Sequence, residues 1–131
     1  MASNPPSMSV AIVDDEPSVR TSLSRLLRSS GIHPDAFASG GEFVERLHTG
    51  RWQAVLLDIH IPGLTGFELL KRIVRDRSDL AVIMITGYEE PDVRRRAYEA
   101  GAKGFLLKPF QLSELLEAIR AVSAEIAATP E

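Results

Sequence analysis

The sequence contains no cysteine, so disulfide bonds, thiolate metal sites and thiol nucleophiles are excluded. It also lacks an apolar run of membrane-spanning length, and MASNPPSM at its start is not a basic segment followed by an apolar one. Basic residues are fewer than acidic ones, 15 against 18, which gives a formal net charge of −3. This balance argues against a protein whose main affinity is for nucleic-acid phosphates. We therefore expect a soluble protein of the cytoplasm.

The length of 131 residues suits one domain and is too short for two domains with separate cores. Hydrophobic residues make up 44% of the chain and charged residues 25%, an ordinary globular balance. Residues 1–8 are small, polar and proline-bearing, and are predicted to be a flexible tail. Residues 127–131 are predicted to be a C-terminal tail or a truncated linker. The domain itself is expected over residues 9–126.

Short apolar runs alternate with amphipathic segments, which is typical of βα units around a parallel sheet. The predicted strands are Val10–Val13, Ile32–Ala38, Ala54–Leu57, Ala81–Ile85 and Gly104–Leu107. Three of them are continuous apolar runs (VAIV, AVLL and AVIMI), as expected for strands that are buried on both faces. The second contains His33 and Pro34, and proline favours an edge strand because it cannot donate to a neighbouring strand.

Five helices are predicted between and after these strands. Pro17 opens the first, and Ser39 with Glu42 forms a capping box that opens the second. Pro91 opens the fourth, and Gly101 ends it. The third and fifth helices are predicted from apolar stripes: Phe67, Leu70, Ile73 and Val74, and then Leu112, Leu115, Leu116, Ile119, Val122 and Ile126. The sequence therefore predicts an α/β fold of five βα units.

Polar side chains follow four of the predicted strands at the point where each strand ends. Asp14 and Asp15 follow the first strand, Asp58 the third, Thr86 the fourth and Lys108 the fifth. Ligands of open parallel sheets bind beyond the carboxyl ends of the strands. We therefore expect three carboxylates, a hydroxyl and an ammonium group at one edge of the sheet.

Three neighbouring carboxylates raise each other's pKa unless a positive charge lies between them. A hard divalent cation such as Mg²⁺ fits such a cluster, because it prefers oxygen ligands. Lys108 could pair with a carboxylate or a phosphoryl oxygen, and one carboxylate could attack phosphorus to form an acyl phosphate. Each feature alone also fits an ordinary loop or helix cap, whereas their joint occurrence at strand ends favours a phosphoryl-transfer site.

Four segments resemble the receiver domain of bacterial response regulators, the second partner in two-component signalling. They are IVDDEP (12–17), LLDIHIPGLTGFELL (56–70), MITGY (84–88) and AGAKGFLLKPF (100–110), and the resemblance runs from about Val10 to Ala121. It implies a doubly wound, flavodoxin-like fold, in which a five-stranded parallel sheet of order 2-1-3-4-5 carries helices on both faces.

The resemblance also implies roles for the acidic residues. Asp58 matches the phosphoacceptor, and Asp14, Asp15 and Asp58 match the carboxylates that hold Mg²⁺ (or Mn²⁺), Asp14 usually through water. His60 would add its main-chain carbonyl to the metal. The side chains of His60 and Tyr88 stand at positions that tune the lifetime of the acyl phosphate, so that lifetime stays open.

The remaining site residues match the switch of the family. Thr86 matches the hydroxyl that moves towards the phosphoryl group, and Lys108 matches the lysine that binds a phosphoryl oxygen. The Lys108–Pro109 peptide is expected to be cis. Phe105 matches the aromatic residue that turns inward when the threonine moves. Phosphorylation would then remodel the surface formed by the fourth helix, the fifth strand and the fifth helix, where a partner or a second subunit binds.

The implied partners are a sensor histidine kinase or a phosphotransfer protein, a possible DNA-binding output domain outside this chain, and a possible homodimer. A stand-alone regulator or phosphoryl shuttle is the alternative. No enzyme activity is expected beyond self-phosphorylation and self-dephosphorylation. An aspartyl phosphohydrolase would carry a second Asp two residues after the nucleophile, where His60 stands, and no G-x-G-x-x-G follows the first strand as a dinucleotide-binding domain requires. A receiver that is not phosphorylated would have lost site residues, and none is lost.

Three consecutive arginines, Arg94, Arg95 and Arg96, lie in the predicted fourth helix. They are interpreted as a solvated face, with a partner-facing patch as the alternative. The cognate kinase, the output and dimerisation stay open.

Overall fold

A computed structural model describes residues 8–88 and 90–128, with side chains up to residue 122. Strands and helices alternate along the described chain. The strands are β1 (Ser9–Val13), β2 (His33–Phe37), β3 (Ala54–Asp58), β4 (Ala81–Thr86) and β5 (Gly104–Leu107). The helices are α1 (Pro17–Ser29), α2 (Gly40–Arg46), α3 (Gly66–Asp76), α4 (Val93–Glu99) and α5 (Leu112–Ala128). All strand pairs are parallel and the order is β2-β1-β3-β4-β5, which confirms the predicted fold class.

Two hydrophobic clusters sandwich the sheet, because successive side chains of a strand point to opposite faces. Val55, Leu57 and Met84 pack on the face covered by α2, α3 and α4. Leu56 and Ile83 pack on the opposite face, which α1 and α5 cover. Each fully buried aliphatic side chain contributes about 1.5–3 kcal/mol relative to exposure. The two clusters hold the strands in register and so fix the positions of the residues at the strand ends.

Strand β2 stands at one edge of the sheet, as Pro34 predicted. Pro34 lies opposite Val10 of β1, with the outer side of β2 unpaired by any strand in the described residues. A missing amide donor costs nothing on that outer side, which explains why proline is accepted there.

An aromatic cluster of Phe37, Phe43 and Trp52 lies beside β2. The ring centroids are 5.0–5.7 Å apart, and two of the three contacts are edge-to-face, the arrangement favoured by the ring quadrupoles. The Trp52 Nε1–H donates to Asp35 Oδ2 (3.1 Å), so the buried indole keeps a polar partner. The Arg46 guanidinium covers Phe37 and Trp52 at 5.9 and 6.0 Å and lies 3.6 Å from Asp35. Every polar group of this cluster therefore has a partner.

Arg77 ties the end of α3 to the same region. Its Nη1 donates to the carbonyl oxygens of Leu47 and Gly50, and its other nitrogens pair with the Asp79 carboxylate at 2.9 Å. The hydrogen bond from Arg77 lowers the pKa of Asp79 from its ordinary value, with a smaller opposing effect of burial.

The capping box predicted at the start of α2 is present in a shifted form. The Glu42 N–H donates to Ser39 Oγ (3.1 Å), as expected of an N-cap serine. The Glu42 carboxylate, however, accepts from the Ala38 N–H (3.0 Å), one residue before the N-cap. The N–H groups of Glu42 and Ala38 are both hydrogen-bonded, so the helix start is capped as predicted, but the Glu42 carboxylate accepts from Ala38 instead of Ser39.

Helix α4 begins two residues later than predicted. Pro91 lies in a turn, Asp92 is the N-cap, and the first helical residue is Val93, whose N–H donates to the Glu90 carbonyl oxygen. The prediction that Pro91 opens the helix is therefore wrong. Gly101 follows the helix with φ +111°, a backbone conformation that favours glycine, as expected of its stop.

Residues 1–7 and 129–131 of the two predicted tails lie outside the described residues, so the tail assignments stay predictions. Met8 packs against the α1–α5 cluster, and its carbonyl oxygen accepts from the His33 N–H (2.8 Å). Helix α5 runs to Ala128, two residues past the domain end predicted at 126. Among the described residues, we find no helix with both the length and the apolar character needed to cross a bilayer.

Candidate functional site

The carboxyl edge of the sheet brings the predicted acidic residues together. Asp14 follows β1 directly, and Asp58 is the last residue of β3, paired in register with Ile85 of β4. One carboxylate oxygen from each of Asp14, Asp15 and Asp58 lies within 4.8 Å of the others. Because β1 and β3 are neighbours in the sheet, residues more than forty positions apart in the chain meet at this edge.

Lys108 lies between two of these carboxylates. Its Nζ is 3.2 Å from Asp14 Oδ2 and 3.2 Å from Asp58 Oδ2. Asp14 is 1% exposed and Asp58 6%, whereas Asp15 faces solvent. We call Asp14, Asp15, Asp58 and Lys108 the acidic site. Three carboxylates and one ammonium group leave a formal charge of −2 there (3 − 1 = 2 negative charges).

The charges of the acidic site shift the pKa values of its members. Burial raises the pKa of Asp14 above its ordinary value; the Glu16 amide and Lys108 oppose this effect, and the Asp58 charge reinforces it. For Lys108, burial lowers the pKa, but the charges and hydrogen bonds of Asp58 and Asp14 outweigh it, so the pKa is raised. Lys108 therefore stays protonated, while Asp14 carries its negative charge at a cost.

The donor set fits a hard divalent cation. Two ligand oxygens on one Mg²⁺ are at most about 4.2 Å apart, since each Mg–O distance is about 2.1 Å. Carboxylate oxygens spread over as much as 4.8 Å match a cation held partly by direct contacts and partly through water. The residual charge of −2 also matches one divalent ion. The residues that would hold it are Asp14, Asp15 and Asp58.

The loop after Asp58 is held by hydrogen bonds and by a close backbone approach. The His60 N–H donates to Asp58 Oδ1 (2.9 Å), and the Gly66 N–H donates to the Ile59 carbonyl oxygen (3.1 Å). A Cβ on Gly66 would lie 2.6 Å from Ile59 Cα and 2.7 Å from the Asp58 carbonyl oxygen. Thr65 caps α3 immediately before this glycine, accepting from the Glu68 N–H (3.2 Å). Helix α3 therefore packs its first residue directly against the backbone of Asp58.

The Thr86 hydroxyl is fully buried and engaged with the backbone of Tyr88. It accepts from the Tyr88 N–H (3.1 Å) and donates to the Tyr88 carbonyl oxygen (3.3 Å). The rings of His60 and Tyr88 meet edge to face with centroids 5.3 Å apart, and both are exposed. The two side chains predicted to tune the acyl phosphate are thus in mutual contact.

Phe105 and Lys108 are both positioned by β5. Phe105 is half-buried and packs against the cluster on the α2–α4 side of the sheet, which contains Met84, its partner in the register. Alternation along β4 places Thr86 on the same face as Met84. The Lys108 N–H donates to the Thr86 carbonyl oxygen (2.7 Å), and the Lys108–Pro109 peptide is cis.

Two residues near the acidic site were missed in the sequence. Arg20 donates from Nη1 to the Asp14 carbonyl oxygen (2.8 Å), and Gly66 makes the close approach to Asp58. No sequence signal pointed to Arg20, because its role depends on how α1 packs beside β1. Gly66 had a signal, since Thr65 and Glu68 form the pattern of a capping box around it.

Comparison with known proteins identifies the family of this chain. The family described as response regulator receiver domain matches residues 10–120. The chain belongs to this family. Its receiver fold is similar to the crystal structure of a CheY-like receiver domain protein from Methanospirillum hungatei, with a TM-score of 0.87 and 28% identity over 93% of this chain and 98% of that one.

Two further proteins share the receiver domain. The structure of response regulator protein TrrA from Thermotoga maritima, in complex with Mg²⁺ and BeF, is 29% identical with a TM-score of 0.79, over 88% of this chain and 98% of that one. The transcriptional regulatory protein TcrA of Mycobacterium tuberculosis is 36% identical over 114 residues, which are 87% of this chain and 45% of TcrA. The chain spans about half or less of the length of the curated relatives it matches.

Proposed function

We propose that Asp58 accepts a phosphoryl group from the phosphohistidine of a sensor histidine kinase or a phosphotransfer protein, in a reaction that depends on Mg²⁺ or Mn²⁺. One observation carries the proposal: the Asp58 carboxylate lies within 4.8 Å of two further carboxylates and 3.2 Å from the Lys108 ammonium group. The similarity to TrrA, whose structure holds Mg²⁺ and BeF, supports it.

The chemistry is a nucleophilic displacement at phosphorus. An oxygen of Asp58 forms the new P–O bond while the P–N bond to the donor imidazole breaks and its electron pair returns to the ring. The divalent cation supplies countercharge for the phosphoryl oxygens. Lys108, which already donates to Asp58 Oδ2, transfers that hydrogen bond to a phosphoryl oxygen. Asp14, Asp15 and Asp58 would hold the cation, and His60 would add its main-chain carbonyl.

The phosphoryl group then acts as a switch because it adds up to about two negative charges. The Thr86 hydroxyl leaves the Tyr88 backbone to donate to the phosphoryl group. Phe105 moves into the space beside Thr86, and the surface of α4, β5 and α5 is remodelled. The His60 and Tyr88 side chains, which contact each other, stand at the positions that would tune the lifetime of the acyl phosphate.

We propose that the α4–β5–α5 surface controls a partner or a fused DNA-binding domain, or forms a homodimer, with a stand-alone regulator or phosphoryl shuttle as the alternative. The similarity to a transcriptional regulatory protein supports an output in the control of transcription. The chain would have no catalytic activity beyond its own phosphorylation and dephosphorylation. Its cytoplasmic location stays a prediction.

Incubation with acetyl phosphate and Mg²⁺ tests the acceptor. Intact-mass measurement should show one added phosphoryl group on the wild type and none on Asp58→Asn. Asp76→Asn, which removes a carboxylate on the surface of α3, is the matched control and should gain the same mass as the wild type. A correctly folded wild type that gains no mass contradicts the proposal.

Lys108→Ala tests the second part of the mechanism. The variant should be phosphorylated more slowly, or be phosphorylated without the change in the α4–β5–α5 surface, which NMR chemical shifts report. Lys71→Ala, an exposed lysine of α3, is the control. Equal uptake and equal shifts in both variants would remove Lys108 from the mechanism.

A further inference from the structure

The three consecutive arginines of α4 make three different contacts. The guanidinium carbon of Arg94 lies 4.9 Å from the centroid of the Phe105 ring. Arg95 pairs with carboxylates near its own helix at 3.2 and 3.4 Å. Arg96 lies 4.8 Å from the centroid of Phe67. The interpretation of this run as a solvated face is therefore incomplete, because two of its members cover aromatic rings.

We propose that Arg94 is a positioning residue for Phe105: its guanidinium holds the ring in its half-buried position and opposes movement of the ring towards Thr86. The proposal rests on the proposed function, in which that movement accompanies phosphorylation. The contact between Arg94 and Phe105 then affects how readily the ring moves on phosphorylation.

The attraction is a cation–π contact. A guanidinium within about 6 Å of a ring centroid is drawn to the negative face of the ring. Phe105 has no hydroxyl, so no hydrogen bond of its own side chain holds the ring in place. The remaining contacts of Phe105 are apolar packing against the cluster that contains Met84, Val93 and Ala97. The Arg94 contact is thus the one polar attraction that the described structure shows for this ring.

Arg94 cannot follow the ring inward. Its side chain is exposed on α4, whereas Thr86 is fully buried and lies on the sheet face beneath that helix. A guanidinium moved into that buried space would lose its hydration. Phe105 therefore contacts Arg94 in its present position and loses the contact when the ring moves towards Thr86. A contact that is made in only one of two states shifts the equilibrium towards that state.

The size of the effect follows from the strength of an exposed cation–π contact. Such contacts contribute enough to change an equilibrium constant about two- to fivefold. Without the contact, the position of Phe105 that favours phosphorylation is more populated, and ligands that select that position bind more tightly by the same factor.

Beryllofluoride binding in the presence of Mg²⁺ tests the proposal on the full chain. The fluorine NMR signal of the bound ion gives a dissociation constant for the wild type, Arg94→Gln, Arg95→Gln and Arg96→Gln. Arg94→Gln should bind about two- to fivefold more tightly than the wild type. The two neighbouring variants remove the same charge from the same helix and should bind as the wild type does. Arg94→Lys, which keeps a cation, should lie between the wild type and Arg94→Gln.

Equal affinity in Arg94→Gln and Arg95→Gln overturns the proposal, since the effect would then be one of net charge. Weaker binding by Arg94→Gln overturns it as well. A wild type that binds no beryllofluoride overturns the proposed function, and this inference with it.

A second measurement needs neither Mg²⁺ nor a phosphoryl mimic. Unfolding of the unliganded protein is followed for Arg94→Gln, Phe105→Leu and the double variant. Their effects should be non-additive by a factor of about two to five in the unfolding equilibrium constant, whereas Arg95→Gln and Phe105→Leu should be additive. Additive effects of Arg94→Gln and Phe105→Leu would show that the two side chains have no measurable interaction energy, and would overturn the proposal.

Discussion

The aromatic cluster beside β2 and the acidic site at the carboxyl edge of the sheet are built in opposite ways. In the cluster, the indole of Trp52 has its hydrogen bond to Asp35, and Arg46 covers the rings, so each contact favours the fold. In the acidic site, Asp14 and Asp58 share one lysine. The first region stabilises the protein, whereas the second keeps like charges together at a cost in stability.

Asp79 and Asp14 also respond to acid with opposite sign. Asp79, which pairs with Arg77, has a lowered pKa, so its contribution to stability is present above the unfolded value of 3.8 and is lost as the pH falls through the folded value. Asp14 has a raised pKa, so its ionisation weakens the fold at neutral pH, and this penalty is relieved as the pH falls through the folded value towards 3.8. The opposite pKa shifts of Asp79 and Asp14 show that the destabilising charge lies in the acidic site, where the proposed function requires it.

The largest expected effect is at the aromatic cluster. Trp52→Ala should lower the free energy of unfolding by about 3–5 kcal/mol, because it leaves a cavity beside Phe37 and Phe43 and removes one of the two partners of Asp35. Denaturant unfolding followed by circular dichroism measures it. Trp52→Phe, which keeps an aromatic ring, should lose less. Phosphoryl uptake by the folded fraction should be unchanged, and loss of uptake would show that the two regions are not independent.

Gly66→Ala should affect both stability and the site. The new methyl group would meet the backbone of Asp58 and Ile59 at 2.6–2.8 Å, and relief requires movement of the loop that follows Asp58. We expect a loss of about 1–3 kcal/mol in the free energy of unfolding, together with slower phosphoryl uptake. Gly41→Ala is the control, since its nearest contact would be 3.8 Å from a side-chain oxygen. Unchanged uptake in a stable Gly66→Ala would mean that the close approach has no role in positioning Asp58.

Mg²⁺ should offset the destabilisation that the neighbouring carboxylates of the acidic site cause. At a free Mg²⁺ concentration ten times its dissociation constant, the wild type should gain about 1.4 kcal/mol in the free energy of unfolding. Without metal, Asp14→Asn should be more stable than the wild type at neutral pH, and acidification should remove the advantage, because the pKa of Asp14 is raised. The variant should gain less from Mg²⁺. Thermal unfolding with and without the metal measures both effects, and equal gains in both proteins would place the cation elsewhere.

The smallest effect concerns Asp79. Asp79→Asn removes an exposed partner of Arg77, and surface ion pairs contribute about 0.2–1 kcal/mol, so a loss in that range is expected at neutral pH. The difference from the wild type should shrink as the pH falls below the lowered pKa of Asp79. Denaturant unfolding at several pH values checks the sign. A difference that grows in acid would contradict the assignment.

The sequence predicted the features that depend on strand order alone. Asp14, Asp58 and Lys108 stand at the ends of apolar runs, and parallel strands bring such ends to one edge whatever the details of packing. The edge position of β2 followed from Pro34 in the same way, because the ring removes a donor.

Features that depend on helix orientation were predicted less well. The stripe expected on α3 included Val74, which is 37% exposed, and omitted Leu69, which is fully buried. Arg20 reaches the Asp14 carbonyl, and Arg94 reaches Phe105, because of how α1 and α4 lie on the sheet. A periodic pattern gives the apolar face of a helix but not its rotation to within one residue, and these contacts depend on that rotation.

Lys108 reaches its partners across 94 and 50 positions of the chain. A fragment that ends before Lys108 therefore lacks the ammonium group that lies beside Asp58 and Asp14. Under the proposed function, phosphorylation of Asp58 would then require a chain that has folded as far as the end of β5.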